Sequence, residues 1–229
     1  MLQENLTKNI FDLSIPVLAI DIVIFTVYKW NLCLIMNQRI ENWSEQWKYI
    51  LPGWVVKRWL SLEENFDNIL KLRTWISWVY KEQLYTFWEV DRDPRWHVVT
   101  VSYYALVSSQ TFLSNVDFTK VHIVNFSDLD KVSIWYDHQK IINYAKQRLD
   151  WKLEYTNIIK NILPKEFTLS QMQASYEIIL GKSLDKRNFR KKIASLNLLK
   201  ETWNLDKSTN RPAMLYEFSD NELKIVGIL

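Results

Sequence analysis

The chain has 229 residues, 48% of them hydrophobic and 24% charged, with a formal net charge of +3. That is enough chain for one large core or two small ones, and the balance is that of a globular protein rather than a disordered one. The longest apolar run, Ile15 to Val27, is broken by Pro16 and Asp21 and is too short to span a bilayer. The opening MLQENLTKNIFDLS lacks the basic and apolar regions of a secretory signal, and one cysteine excludes an internal disulfide framework, which together predict a cytoplasmic location with no membrane partner. Cys33 falls in an apolar strand and is expected in the core. Three histidines and that cysteine, far apart, show no metal-ligand spacing, and neither a metal site nor a cofactor is expected. Charge is uneven: residues 152–229 hold 13 Lys+Arg against 9 Asp+Glu, and residues 1–151 hold 16 against 17. A basic second part behind a neutral first part suggests that any polyanion binds towards the C-terminus.

In chain order, Pro16 to Val27 and Leu32 to Met36 are β-branched-rich runs joined by Tyr28-Lys29-Trp30-Asn31, which predicts a hairpin. A long polar segment runs to Tyr49. Ser61 to Leu72 predicts a helix, with Leu62, Phe66 and Ile69 at i, i+4 and i+7 and a capping box from Ser61 and Glu64. Gln83 to Phe87 and His97 to Val107 predict strands around the polar turn Glu89 to Arg95, and Val121 to Phe126 a further strand. Lys140 to Leu149 predicts a helix bridging two parts of the chain. Strands, helix, strands, helix is an α+β order with a mixed sheet. Beyond it, Thr168 and Gln171 form a second capping box, opening a helix that aligns Leu169, Met172, Tyr176 and Ile179 and stops at Gly181. Asp185 can cap another helix reaching about Leu198. Leu199 to Thr202 and Ala213 to Phe218 predict two strands around a polar tip. Helix, turn, helix, hairpin is the winged helix-turn-helix order.

The helix after Asp185 has a marked polarity. At about 100° per residue, Ile193 and Leu196 fall within about 40° of Phe189, while Arg187, Arg190, Lys191, Ala194 and Ser195 fall opposite. A DNA-reading helix needs such an apolar anchor on one side and cations with small residues on the other. Lys186, Arg187, Asn188, Arg190, Lys191 and Lys192 are the expected DNA-binding residues on the helix. Lys207 and Arg211, with Ser208, Thr209 and Asn210, suit phosphate contacts from a wing. The alternative is a merely solvated basic face.

Leu51-Pro-Gly53 through Ile76 resembles the Nudix box, Gx5Ex7REUxEExGU with U apolar. The likeness continues through Glu82-Gln-Leu-Tyr-Thr-Phe87, Asp91-Arg-Asp-Pro-Arg95, Val98 to Tyr103, Asp137-His138 and Lys152 to Tyr155. It runs on through Leu163 to Leu169, Leu184-Asp-Lys-Arg-Asn-Phe-Arg-Lys-Lys192, Arg211-Pro-Ala213 and Leu215-Tyr216. Across nearly its whole length the chain resembles the Nudix-related transcriptional regulators of NAD metabolism, the NrtR family. The resemblance implies a Nudix-like effector domain over 1–138, a connecting helix over 139–151 and a winged-helix domain over 152–229. It further implies a homodimer that represses NAD-metabolism genes at a double-stranded operator and answers an ADP-ribose-like effector. The alternatives are a Nudix hydrolase acting on a nucleoside diphosphate such as ADP-ribose, and a nucleotide-sensing scaffold without a DNA target. Hydrolysis needs carboxylates on the box helix to hold Mg²⁺. Laid on this sequence, the box carboxylates fall on Leu60, Ile69, Leu72 and Arg73, with Asn68 at the box arginine, so no catalytic residue and no enzyme activity are expected. Glu63 and Glu64 remain, as first-turn residues. Effector-binding residues are expected to be Arg39, Gly53, Tyr85, Phe87, Asp91, Arg92 and Arg95, which combine guanidinium groups for phosphate with aromatic faces for a base. Their alternative is a pair of core aromatics and a solvated turn.

Twelve tryptophans stand beside three glycines, where average usage would give about 7% glycine. Against the family pattern, Trp30, Trp47, Trp54, Trp59, Trp75, Trp88, Trp96, Trp151 and Trp203 fall where glycine is usual. Many such positions demand φ > 0, which costs a Cβ-bearing residue about 1–2 kcal/mol. The expectation is a gene from a lineage that decodes UGA as glycine, written with UGA as tryptophan. The rival is real tryptophan that stacks on single-stranded nucleic acid, which should cluster on one face.

Overall fold

The computed structural model describes residues 15–40, 47–77, 79–116, 118–208 and 211–228. Strand β1 (Val17–Tyr28) is the spine, because its run of β-branched and aromatic residues is buried on both sides from Ala19 to Phe25. It turns back antiparallel into β2 (Asn31–Ile40) and lies parallel to β6 (Val98–Leu106), which pairs antiparallel with β5 (Tyr80–Phe87) at the sheet edge. The short β3 (Trp47–Ile50) pairs with β2, β4 (Gly53–Val55) with β1, and β7 (His122–Asn125) with β2. The mixed sheet therefore has seven strands, ordered β3-β2-β1-β6-β5 along its main path.

Each face of the sheet carries its own layer. On one, Ile20, Ile22, Ile24 and Ile35 pack against Phe66, Ile69 and Leu70 of the box helix α1 (Leu62–Thr74) and Phe112 of α2 (Ser109–Asn115). The Ser61–Glu64 capping box that starts α1 is formed as expected. On the other, Val23, Phe25, Leu34, Met36, Leu84 and Phe87 meet Ile141, Ile142, Ala145 and Leu149 of α3 (His138–Tyr155). That second layer continues without a break into Met172, Tyr176 and Ile179 of α4 (Leu169–Leu180) and Phe189 and Ile193 of α5 (Lys186–Ser195). Helix α4 also touches β1 and β2 directly. The hairpin of β8 (Leu199–Asp206) and β9 (Ala213–Phe218) completes helix, turn, helix, wing. At roughly 1.5–3 kcal/mol per fully buried large apolar side chain, this shared core ties the C-terminal elements to the sheet. Among the described residues no helix is long and apolar enough to cross a membrane.

Three differences from the sequence expectation have physical reasons. Helix α3 runs to Tyr155 rather than Leu149, because the C-terminal tail ties down its last carbonyls: Val226 N–H donates to Tyr155 O and Ile228 N–H to Glu154 O, both at 2.8 Å. Helix α2 was not anticipated; its seven residues show too little periodicity, although Ser108 caps it through Thr111 N–H. Strands β3 and β4 are too short, at four and three residues, for alternation to show.

Ten tryptophans lie in the described region, and Trp135, 5% exposed, is buried. The nine at glycine-like positions are all more than half exposed, spread over turns, strands and a helix rather than gathered on one face. Four have left-handed backbone: Trp30 (φ 61°), Trp59 (68°), Trp75 (64°) and Trp203 (63°). Lys29 (φ 48°) and Trp30 together make the β1–β2 turn, with both central residues positive, where Asn-Gly is the usual pair. Trp75 ends α1 in the αL position with its N–H on Lys71 O. Trp203 sits where the β8–β9 register slips between Glu201 and Leu205, a bulge of the sort that glycine usually supplies.

Candidate functional site

Helix α5 begins at Asp185, whose Oδ1 accepts Asn188 N–H at 2.7 Å. Its apolar stripe is sealed: Phe189 packs on Tyr176 of α4 at 5.5 Å between ring centroids, and Ile193 is buried. Lys186, Arg187, Asn188, Arg190, Lys191 and Lys192 are all exposed, as the polarity predicted. Among the described residues, Lys186, Arg187, Lys191 and Lys192 have no ion-pair partner. Arg190 Nη2 donates to Ser170 Oγ, 3.1 Å away on the first turn of α4. The wing is anchored from behind, where Phe167 and Tyr216 exchange backbone hydrogen bonds of 3.0 and 2.8 Å. Lys207 and Arg211 are exposed at its tip; Thr209 and Asn210 lie outside the described residues. The α5 cations Lys186, Arg187, Lys191 and Lys192, exposed beside a protruding hairpin, suit the phosphates and groove of a duplex.

The box helix offers a metal no comparable set of ligands. Ile69 is buried in the sheet core, Leu72 is exposed, and Glu64 is engaged in capping, its Oε2 accepting Ser61 N–H at 2.7 Å. That backbone hydrogen bond holds the Glu64 carboxyl below its ordinary pKa. Among the described residues no group of three or more His, Cys, Asp or Glu could hold a metal ion. Arg73 occupies the carboxylate position instead. Its Nε donates to Gly53 O at 3.2 Å, and its guanidinium lies 4.3 Å from the centre of the Trp54 ring. These donors do not fit Mg²⁺.

The remaining expected effector residues do not form one site. Arg39 lies exposed on β2, on the α1 side of the sheet with Arg73, whereas Tyr85 belongs to the α3 side. Tyr85 stacks on Tyr144 of α3, with centroids 5.2 Å apart and planes inclined by 29°, and is flanked by Trp88. Asp91 is exposed. Arg95 pairs with Asp93 at 2.7 Å. Phe87, 2% exposed, is a core side chain and offers no open ring face, a correction that follows from the packing of α3 across β5. Arg92 is likewise not an open cation, because two carboxylates surround it. Its Nη2 lies 2.7 Å from Asp137 Oδ1 and 3.1 Å from Asp21 Oδ2, and its Nε donates to Asp137 Oδ2 at 3.1 Å. Burial works against the Arg92 charge, but Asp137 and Asp21 outweigh it and raise its pKa.

His138 completes that cluster. Its Nδ1 accepts Leu51 N–H at 3.0 Å and its Nε2 lies 3.6 Å from Asp21 Oδ1, while burial pushes its pKa below the ordinary 6.5. Gly53 closes over the same aspartate: a Cβ there would come within 2.4 Å of Asp21 Oδ1 and 2.8 Å of Ile20 O, so no larger residue fits. Asp21, Tyr144 and the partners of Arg92 were missed from sequence. Asp21 carried the signal, since a carboxylate inside a buried strand requires a buried partner. At the other end of α3, Glu82 of β5 accepts from Tyr80 at 2.6 Å, Tyr104 at 3.0 Å and Lys152 at 3.0 Å, which fixes the helix to the sheet edge.

A Nudix fold whose box helix has lost its metal ligands, joined through a shared core to a winged helix with an open basic face, defines the class of Nudix-derived DNA-binding regulators. Residues 159–218 match the family model described as the NrtR DNA-binding winged helix domain. The chain is 30% identical over 213 residues to the ADPR-responsive transcriptional repressor NtrR of Acinetobacter baylyi, covering 91% of this chain and 84% of that one. The crystal structure of Shewanella oneidensis NrtR complexed with a 27mer DNA is similar at a TM-score of 0.79 and 30% identity, over 88% of this chain and 93% of that one. The Nudix domain of the same protein, complexed with ADP ribose, is similar at a TM-score of 0.51 and 27% identity, over 62% and 97% of the two chains. The chain belongs to the NrtR family.

Proposed function

We propose that this protein is a transcriptional repressor that grips a double-stranded operator with α5 and the β8–β9 wing and alters that grip when ADP-ribose or a related nucleotide binds its Nudix domain. The observation that carries the proposal is the polarity of α5, with Phe189 and Ile193 sealed inside and Arg187, Arg190 and Lys191 facing outward. The DNA and ADP-ribose named with the relatives supply the partner and the effector. Lys186, Asn188, Lys192, Lys207 and Arg211 add phosphate contacts, and the regulated genes are those of NAD metabolism. The effector domain runs to residue 137, the connecting helix is α3 (His138–Tyr155) and the winged helix follows from residue 156, with a homodimer placing two α5 helices on one operator. Of the residues expected from sequence, Arg39 and Gly53, on the α1 side of the sheet with Arg73, serve the effector. Without the box carboxylates the protein hydrolyses no pyrophosphate.

The test is selection of a duplex from a randomised library, followed by titration of ADP-ribose into the complex. The proposal expects one recurrent sequence and an affinity that changes with the nucleotide. Recovery of no preferred duplex would overturn it.

A further inference from the structure

The sheet face that carries α1 holds an apolar cavity of about 330 Å³, walled by Trp54, Ile69, Leu72 and Trp75 and rimmed by Lys71 and Lys120. In a Nudix enzyme this side of the box helix would present carboxylates to a divalent cation, and here Arg73 takes one of their positions. Arg73 is half-buried, yet among the described residues no carboxylate lies within ion-pair distance of it. Among the described residues only its Nε meets a protein acceptor, the Gly53 carbonyl. Its two terminal nitrogens therefore retain their donors. Asn37, buried beneath, donates to both Arg73 O (3.2 Å) and Lys120 O (2.7 Å), which holds two basic segments together. Arg39 lies two residues further along β2 on the same face. Burial, and then the charge of Arg39, push the Arg73 pKa down. Two guanidinium groups that repel each other, one of them stacked on the Trp54 wall of this cavity and without a carboxylate partner among the described residues, leave an electrostatic deficit that an anion would relieve.

We propose that Arg73, with Arg39 beside it, replaces the divalent cation of the ancestral site, so that a nucleoside diphosphate binds this groove without metal. Mg²⁺ would bring two positive charges to a diphosphate, and two guanidinium groups bring the same number. They also add N–H donors in a planar fork that matches phosphate oxygens. The proposal rests on the effector reading above and assigns the side of the sheet on which that effector's phosphates lie.

The experiment is calorimetric titration of ADP-ribose into the full-length protein, once in EDTA and once in excess Mg²⁺. It is repeated with Arg73→Ala and with Arg73→Gln, which keeps a donor for the Gly53 carbonyl should the alanine variant fail to fold. The expected result is the same affinity in both buffers and a loss of about tenfold or more on removing the Arg73 charge, as for a charge-assisted hydrogen bond. Binding that appears only with Mg²⁺, or an affinity unchanged in a folded Arg73 variant, overturns this inference and leaves the effector reading standing. No binding in either buffer overturns both.

Discussion

Replacing Trp30, Trp59, Trp75 and Trp203 with glycine should stabilise the protein, although it removes four large side chains. Each holds φ between 61° and 68°, which costs an L-residue about 1–2 kcal/mol that glycine does not incur. Against that gain, glycine makes the unfolded chain more flexible at about 0.5–1 kcal/mol per site. The difference is about 0.5–1 kcal/mol per site, or roughly 2–4 kcal/mol for four separated positions that add independently. Little packing is lost, since the four indoles are between 54% and 96% exposed. In a chain of this size such a gain raises the melting temperature by about 5–15 °C. The control is the same replacement at Trp47, Trp88, Trp96 and Trp151, equally exposed but without positive φ, which should instead destabilise by roughly 2–4 kcal/mol, with Trp151 costing most as a mid-helix site. Urea unfolding of the two quadruple variants reads the sign directly. If both quartets shift stability in the same direction, the backbone explanation fails. A positive result would favour glycine as the residue decoded at these codons, and UGG rather than UGA at the nine positions in the gene would rule that out.

Other outcomes follow from the two ion clusters and the box helix. Asp21→Asn leaves the Arg92 guanidinium short of one carboxylate in a site where its side chain is 4% exposed, and should cost about 3–5 kcal/mol in chemical denaturation; a loss below 1 kcal/mol would mean water reaches the cluster. Burial holds the His138 pKa below 6.5, so the unfolded chain takes up its proton first as pH falls. Stability should be full above pH 6.5 and decline as pH falls from there towards the lower folded-state value. His138→Gln should flatten that segment of the pH–stability curve, and an unchanged slope would refute the assignment. Incubation with ADP-ribose and Mg²⁺ should release no AMP or ribose phosphate, and turnover by pure protein would contradict the ligand inventory of α1.

Much of the fold was legible because its signals are local. The capping boxes at Ser61–Glu64 and Thr168–Gln171, the Gly181 stop and the apolar stripe through Phe189 and Ile193 each lie within one turn or two, and each is realised in the structure. The candidate effector site was less legible, because its arrangement depends on contacts distant in sequence. Arg92 looked like a phosphate ligand, but its partners lie 71 and 45 positions away, at Asp21 and Asp137. Phe87 looked like a stacking platform until α3 covered it. Nor does strand alternation reveal which face a helix will occupy, so Arg39 and Tyr85 could not be assigned to opposite sides of the sheet from sequence alone.

The most direct test is the affinity of the selected operator duplex, by fluorescence anisotropy, for the wild type and for Arg187→Ala and Arg190→Ala at fixed salt. A base-reading contact predicts a loss of about 1–3 kcal/mol for a variant on that duplex, with a smaller loss on random DNA. Full affinity in both variants, each folded, would contradict the assignment of α5 as the helix that reads DNA.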